Sequence, residues 1–520
     1  MATNYKSKRK SMPNKGSYGK QGSKDKFSDK NQCDDRIRRD HSKGDINDPS
    51  YYISDANLRA QLPNISFNQF VNVPVDIARK VSDNTTTEIT FPSCMRINLN
   101  PSAGYTDDNY ISSGVNLAAL SMYTKLSANN AKTSVYAPQD LTTLIYAVSE
   151  LIAVSSHIAR IFGVCRLYNY RNRSFPEKIV EYLGVQYQDL IDNFSDYRSL
   201  YNNLMVAASK IPIPANITLL QKSSQLYSNV YVDMEGSAMA QTYIFVPNST
   251  WYLDEKYNDN GTGLKTLEFG YSNPPVGTVT MASLLSKLDI MINSLLQSTT
   301  LNAIYSDILR LADKEGLPLY QFTTIDDAFV VVPVYNPEVR LWINNLVVTG
   351  SPVGTAEDNK YTPKNDVVPV AGTNSISYKP KFQVNAGLAL KPIINFDHSN
   401  VSSDEIIEAT RLSVAWHTIE FGDDGWFLNL VALPDHYVTA IALMGAGDAS
   451  VLEFPFLNNG SLDTFSWKWS NFDWAPFIYT LDASSNFKGV LGDTNYYTTI
   501  DYQFLKRLND ASYQGLLELR

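Results

Sequence analysis

Charge in this chain is segregated by sign, and that most narrows what it can fold into. Residues 1–50 hold 13 Lys/Arg against 7 Asp, a balance of +6, which leaves residues 51–520 with 31 Lys/Arg against 46 Asp/Glu, a balance of −15. The leading segment is dominated by Lys, Ser, Gly, Asn and Asp, and its branched aliphatics are Ile37 and Ile46 alone. Such a segment buries too little apolar surface to offset the entropy of ordering it, so a disordered basic arm is expected over 1–50. Apolar residues recur regularly only from about Tyr51, and the 520-residue length leaves room for roughly two or three domains.

The arm is the first candidate site. Its cations are Lys6, Lys8, Arg9, Lys10, Lys15, Lys20, Lys24, Lys26, Lys30 and Lys43, with a second cluster at Arg36, Arg38 and Arg39. Cations on a mobile polar segment displace condensed counterions from RNA or DNA and give salt-sensitive, sequence-independent binding. A solubilising tail, or an import signal at Lys8-Arg9-Lys10, is the plainer alternative, and the interleaved Asp residues favour it. No apolar stretch follows the basic N-terminus, so no secretory signal is expected and synthesis is placed in the cytosol. Cys33, Cys94 and Cys165 lack C-x-x-C spacing and are expected as free thiols. The apolar stretches 141–164 and 425–447 carry internal charges or Pro434 and are not expected to span a membrane.

Helical periodicity marks the first half of the body. Leu141, Leu144, Ile145, Val148, Leu151, Ile152, Ile158 and Ile161 form one apolar stripe, and Pro138 suits the first turn of its helix. Similar stripes cover 114–127, 186–210, 281–313 with a polar break at 297–300, and the C-terminus from Phe504 to Leu517. Strand character is read from Tyr227 to Phe245 and densely from Phe329 to Met444. Helix-rich and strand-rich blocks in alternation point to an α+β fold: a helix-rich platform carrying a smaller β-rich module, the latter expected over 336–452.

Two motifs invite chemistry. In "FGDDGWF", Asp423 and Asp424 lie between two apolar strands, an arrangement that presents carboxylates to catalytic Mg²⁺ in viral RNA polymerases. A plain β-hairpin outweighs it, because Asp-Gly is a common turn pair and an acidic body suits neither template nor product channel. The segment 453–481 is packed with Phe454, Phe456, Phe465, Trp467, Trp469, Phe472, Trp474 and Phe477. Base stacking would need cations beside the rings, and Lys468 stands alone, so shell packing or a subunit contact by aromatic anchors is expected. His41, His157, His398, His417 and His436 are too dispersed for a metal pair. Asp397-His398 and Asp435-His436 are expected in turns rather than as working pairs. Neither a phosphate-cradling loop nor a dinucleotide fingerprint occurs, so no cofactor and no metal is expected.

The blocks "EFPFLNNGSL" (453–462) and "NFDWAPFIY" (471–479), after the strand "VTAIALMGAG" (438–447), resemble capsid proteins of the picobirnaviruses, with partitivirus capsids more distant. The resemblance implies an α-rich shell domain (51–335 and 453–520), a protruding domain (336–452), and homodimers tiling an icosahedral shell around genomic double-stranded RNA. It implies a virion protein assembled in the host cytoplasm, with no catalytic residues. Some relatives shed an N-terminal peptide during assembly, and no residue here can be assigned to such a self-cleavage. The rivals are an RNA-dependent RNA polymerase using Asp423 and Asp424, and a nucleocapsid-type RNA-binding protein that forms no closed particle.

Overall fold

The computed structural model describes most of residues 94–444 and 496–519, with short stretches at 55, 57, 74–79, 86–90, 450–452, 479–481 and 487–490. The arm, the aromatic run 453–478 and Asp423-Asp424 lie outside the described residues, so the expectations placed on them do too.

One helix, Pro138–Cys165, organises the fold. Pro138 supplies a fixed φ at the first turn, and the Asp140 carboxylate reaches back to accept from the Ala137 N–H at 2.9 Å. The expected stripe faces the core, but the burial goes further: nearly every residue of the helix is buried. By length and apolarity this helix could cross a membrane, and in the fold its apolar surface is instead covered by protein.

Against it lies a six-stranded sheet that runs, edge to edge, Ser450–Leu452, His436–Met444, Cys94–Pro101, Thr242–Pro247, Tyr231–Val232 and Val334–Tyr335. Cys94–Pro101 is buried along its whole length, as befits a strand covered on both faces. It pairs antiparallel with His436–Met444 (Ile97 opposite Ile441) and parallel with Thr242–Pro247 (Cys94 opposite Thr242). A hairpin, Ser249–Asn258 with Gly261–Glu268, closes on the same helix, where Trp251 meets Tyr146 edge to face at 6.0 Å.

Most of the expected stripes are helices. Residues 281–313 resolve into Met281–Leu296 and Thr299–Glu315, separated where the Ser298 hydroxyl caps the second helix by accepting from the Leu301 N–H. Gly316, at φ +68°, ends that second helix in the left-handed region. The strand reading of 227–245 starts too early, because Tyr227 closes the helix Thr218–Ser228. Likewise the strand-rich stretch 329–444 contains two short helices, Pro337–Asn344 and Ser403–Ala409. Both open on capping residues: Asn336 accepts from the Glu338 and Val339 amides, and Ser402 exchanges hydrogen bonds with Glu405.

The fold is α+β, as expected. Its core does not break at residue 336: Leu346, Val348, Val367, Ile376, Leu412, Val438 and Ile441 share one buried cluster with Leu144, Ile244 and Leu284. A smaller cluster joins Ile394, Phe396, Ala409, Ala415, Ala432, Ile500 and Leu505.

Candidate functional site

Buried and half-buried charged side chains beside the central helix, with the Trp342 ring among them, form a continuous chain of contacts. Glu150, on that helix, accepts from the Thr250 hydroxyl at 2.9 Å, and its other oxygen lies 3.6 Å from His436 Nε2. His436 Nδ1 is 3.1 Å from Asp435 Oδ2, and the same oxygen is 3.2 Å from Arg411 Nη2. The Arg411 guanidinium donates to the Lys222 carbonyl and stacks over the Trp342 ring at 4.2 Å. Trp342 in turn donates to Glu408 at 2.8 Å, and the second Glu408 oxygen receives Lys222 Nζ at 2.8 Å.

Burial alone would push the Asp435 carboxyl up, but the adjacent Arg411 and the hydrogen bond from His436 outweigh it and hold the group well below the usual carboxylate range. Burial would lower the His436 imidazole, but the hydrogen bond to Asp435 and the facing Glu150 carboxylate outweigh that and hold it at about 9. His436 is therefore an imidazolium at neutral pH, with Nδ1 donating to Asp435 at 3.1 Å and Nε2 facing the Glu150 carboxylate across 3.6 Å. This corrects the sequence expectation. Asp435-His436 is an oriented pair, and His436 opens a strand rather than sitting in a turn. His398 is unlike it, meeting Glu405 at 3.2 Å on the surface.

A second buried group lies on the same helix. Arg160 donates to the Phe245 carbonyl at 2.6 Å and the Asn229 carbonyl at 2.9 Å, and its Nη2 is 2.7 Å from His157 Nδ1. Arg96 donates to the Tyr182 carbonyl and to Asn98, and lies over the Tyr271 ring. Arginine cannot accept, so His157 Nδ1 does; the proton sits on Nε2, which faces the Tyr271 hydroxyl at 3.3 Å. Burial, then the flanking Arg160 and Arg96 charges, push His157 far below its ordinary value and keep it neutral. Burial draws both arginines down to about 10, still charged at neutral pH.

A cavity of about 80 Å³ opens beside the first chain, lined by Lys222, Glu408, Arg411, Asp435, Asn509 and Tyr513 among others. Its charged groups face one another in the pairs already described, so they are engaged in holding segments together. Among the described residues no group of three His, Cys, Asp or Glu is placed to hold a metal. The strands Ala415–Gly422 and Gly425–Ala432 on either side of Asp423-Asp424 pair antiparallel, with Gly422 opposite Gly425.

The chemistry that this geometry performs is fastening. Glu150, Lys222, Trp342, His436 and the neighbours Glu408 and Arg411 come from five separate stretches of chain, and none of them was singled out from sequence as a site. The capping box at Ser402–Glu405 is the sequence signal that could have placed Glu408 on a helix and turned attention to its partners.

Comparison with known proteins gives one consistent result. A family model described as picobirnavirus capsid protein matches residues 51–481. The capsid protein precursor of human picobirnavirus is 22% identical over 467 residues, covering 83% of this chain and 82% of that protein. The crystal structure of a picobirnavirus capsid superposes with a TM-score of 0.73 at 16% identity, covering 91% of this chain and 98% of the other.

Proposed function

This chain belongs to the picobirnavirus capsid protein family, and from that premise we propose that it self-assembles as homodimers into an icosahedral shell enclosing double-stranded RNA, with its basic arm on the RNA. The capsid role and a place in the virion follow from the family; dimer, shell symmetry and RNA contact are the finer part of the reading. The match over 51–481 carries it, because it spans most of the acidic body, up to the end of the aromatic run. The sign of the charge supports the division of labour: +6 sits on residues 1–50 and −15 on the remainder.

Charge arithmetic bounds what the arm does. A shell of on the order of 10² subunits brings several hundred positive charges, whereas a genome of a few thousand base pairs carries two phosphates per pair. The arms tether RNA and leave most of its charge to small cations, which suits RNA that is copied inside the particle. We further assign the aromatic run from Phe454 to Phe477 to shell packing or a subunit contact. The parts of 336–452 that share the main core go with the shell, and the protruding domain is drawn from the rest of that segment. Electron microscopy of the purified full-length protein, with and without nuclease, tests the reading. Uniform closed particles are expected; RNA-coated filaments that fall apart under nuclease would select a nucleocapsid-type protein instead.

A further inference from the structure

Residues 328–335, AFVVVPVY, are eight consecutive residues without a charge, and they run into the outer strand of the six-stranded sheet. Val334–Tyr335 pairs with Tyr231–Val232 on one side, and among the described residues no strand pairs on its other side. Val331 is 7% exposed and points inward, whereas Val330, Val332 and Val334 are 41%, 58% and 40% exposed. Period-two alternation sets these three valines in one outward row. Sheet edges of this kind are usually blunted with charge; here the run carries none, Asp327 before it is already paired with Arg166 and Arg198, Glu338 follows it, and Arg340 donates to the Tyr335 hydroxyl at 3.0 Å at its far end. Pro333 removes one backbone donor, so side chains rather than a long hydrogen-bonded ladder must make any contact here.

We propose that the Val330, Val332 and Val334 row packs against the same row of a second copy of this chain across a twofold axis. The proposal rests on the self-assembly reading and adds the surface that performs it. Bodies that each carry a net −15 repel one another, and that repulsion is least where a surface run holds no charge, as this one does. The row is also self-complementary: an antiparallel copy centred on Val332 sets Val330 against Val334 and Val332 against itself, as a twofold contact requires. Three valines are a small part of the roughly 800 Å² that each partner buries in a stable interface, so the row forms the centre of a wider contact.

The test uses the full-length chain with Val332→Asp and Val332→Lys, each expressed alone and the two co-expressed. Circular dichroism checks folding, and native mass measurement and sedimentation read assembly beside the wild type. Because Val332 is exposed, both variants are expected to fold. Either variant alone places like charges on the axis and loses the dimer, and co-expression restores it through Asp–Lys pairs. Single variants that assemble like the wild type would overturn the proposal, as would loss in both without rescue on mixing. If the wild type itself stays monomeric, the self-assembly reading fails instead.

Discussion

His436 holds two buried carboxylates apart, and its removal is the most damaging single change at the described ion chain. His436→Gln leaves Glu150 and Asp435 without the charge between them, and breaking a buried pair in this way costs about 3–5 kcal/mol. Urea unfolding of the disassembled protein should show that loss as a lower midpoint at unchanged slope. The pH dependence has a definite sign. The folded imidazole titrates near 9, above its unfolded value of about 6.5, so its contribution is complete below about 6.5 and is lost as pH rises through 9. His157 acts oppositely, because its folded value is depressed: acidification below about 6.5 favours the unfolded, protonated ring. Wild-type stability should therefore decline between pH 6.5 and 9, and His436→Gln should flatten that decline. An unchanged slope in the variant would remove His436 as its source.

At the scale of elements, the contact between the central helix and the valine run depends on Gly163. A Cβ built there would lie 2.8 Å from the Val331 backbone nitrogen, closer than such atoms pack. Alanine normally favours a helix over glycine by about 1 kcal/mol, yet overpacking costs about 1–3 kcal/mol, so Gly163→Ala should destabilise the fold and loosen residues 329–335. Hydrogen exchange at those amides would rise; unchanged protection would mean that the helix accommodates the methyl. The central helix itself was legible, since Leu141 to Ile161 repeat over enough turns for one stripe to stand out. Pro337–Asn344 and Ser403–Ala409 were not, because about two turns are too short to show a period. Their caps at Asn336 and Ser402 were visible, but the surrounding β-branched residues masked them. The Asp435-His436 pair escaped because adjacency says nothing about Glu150, which only strand pairing and helix packing bring to the other ring nitrogen.

Across the whole molecule, the polarity of the chain was readable from charge counts alone, and the α+β class from the alternation of periods. Where one unit ends and another begins was not readable, because strand density in 336–452 does not reveal that His436–Met444 inserts beside Cys94–Pro101 in the central sheet. A strand added from distant sequence joins the core through hydrogen bonds that leave no local mark. The ion chain then fastens the same region a second time, with Arg411 and Glu408 reaching Lys222 on the helix Thr218–Ser228. The account's central claim is that the acidic body builds the particle while the basic leader holds the RNA. The most direct measurement is the nuclease-protected RNA per particle formed by residues 51–520 compared with the full chain. The account predicts closed particles from both, with markedly less RNA in the shortened form; equal RNA in the two would contradict it.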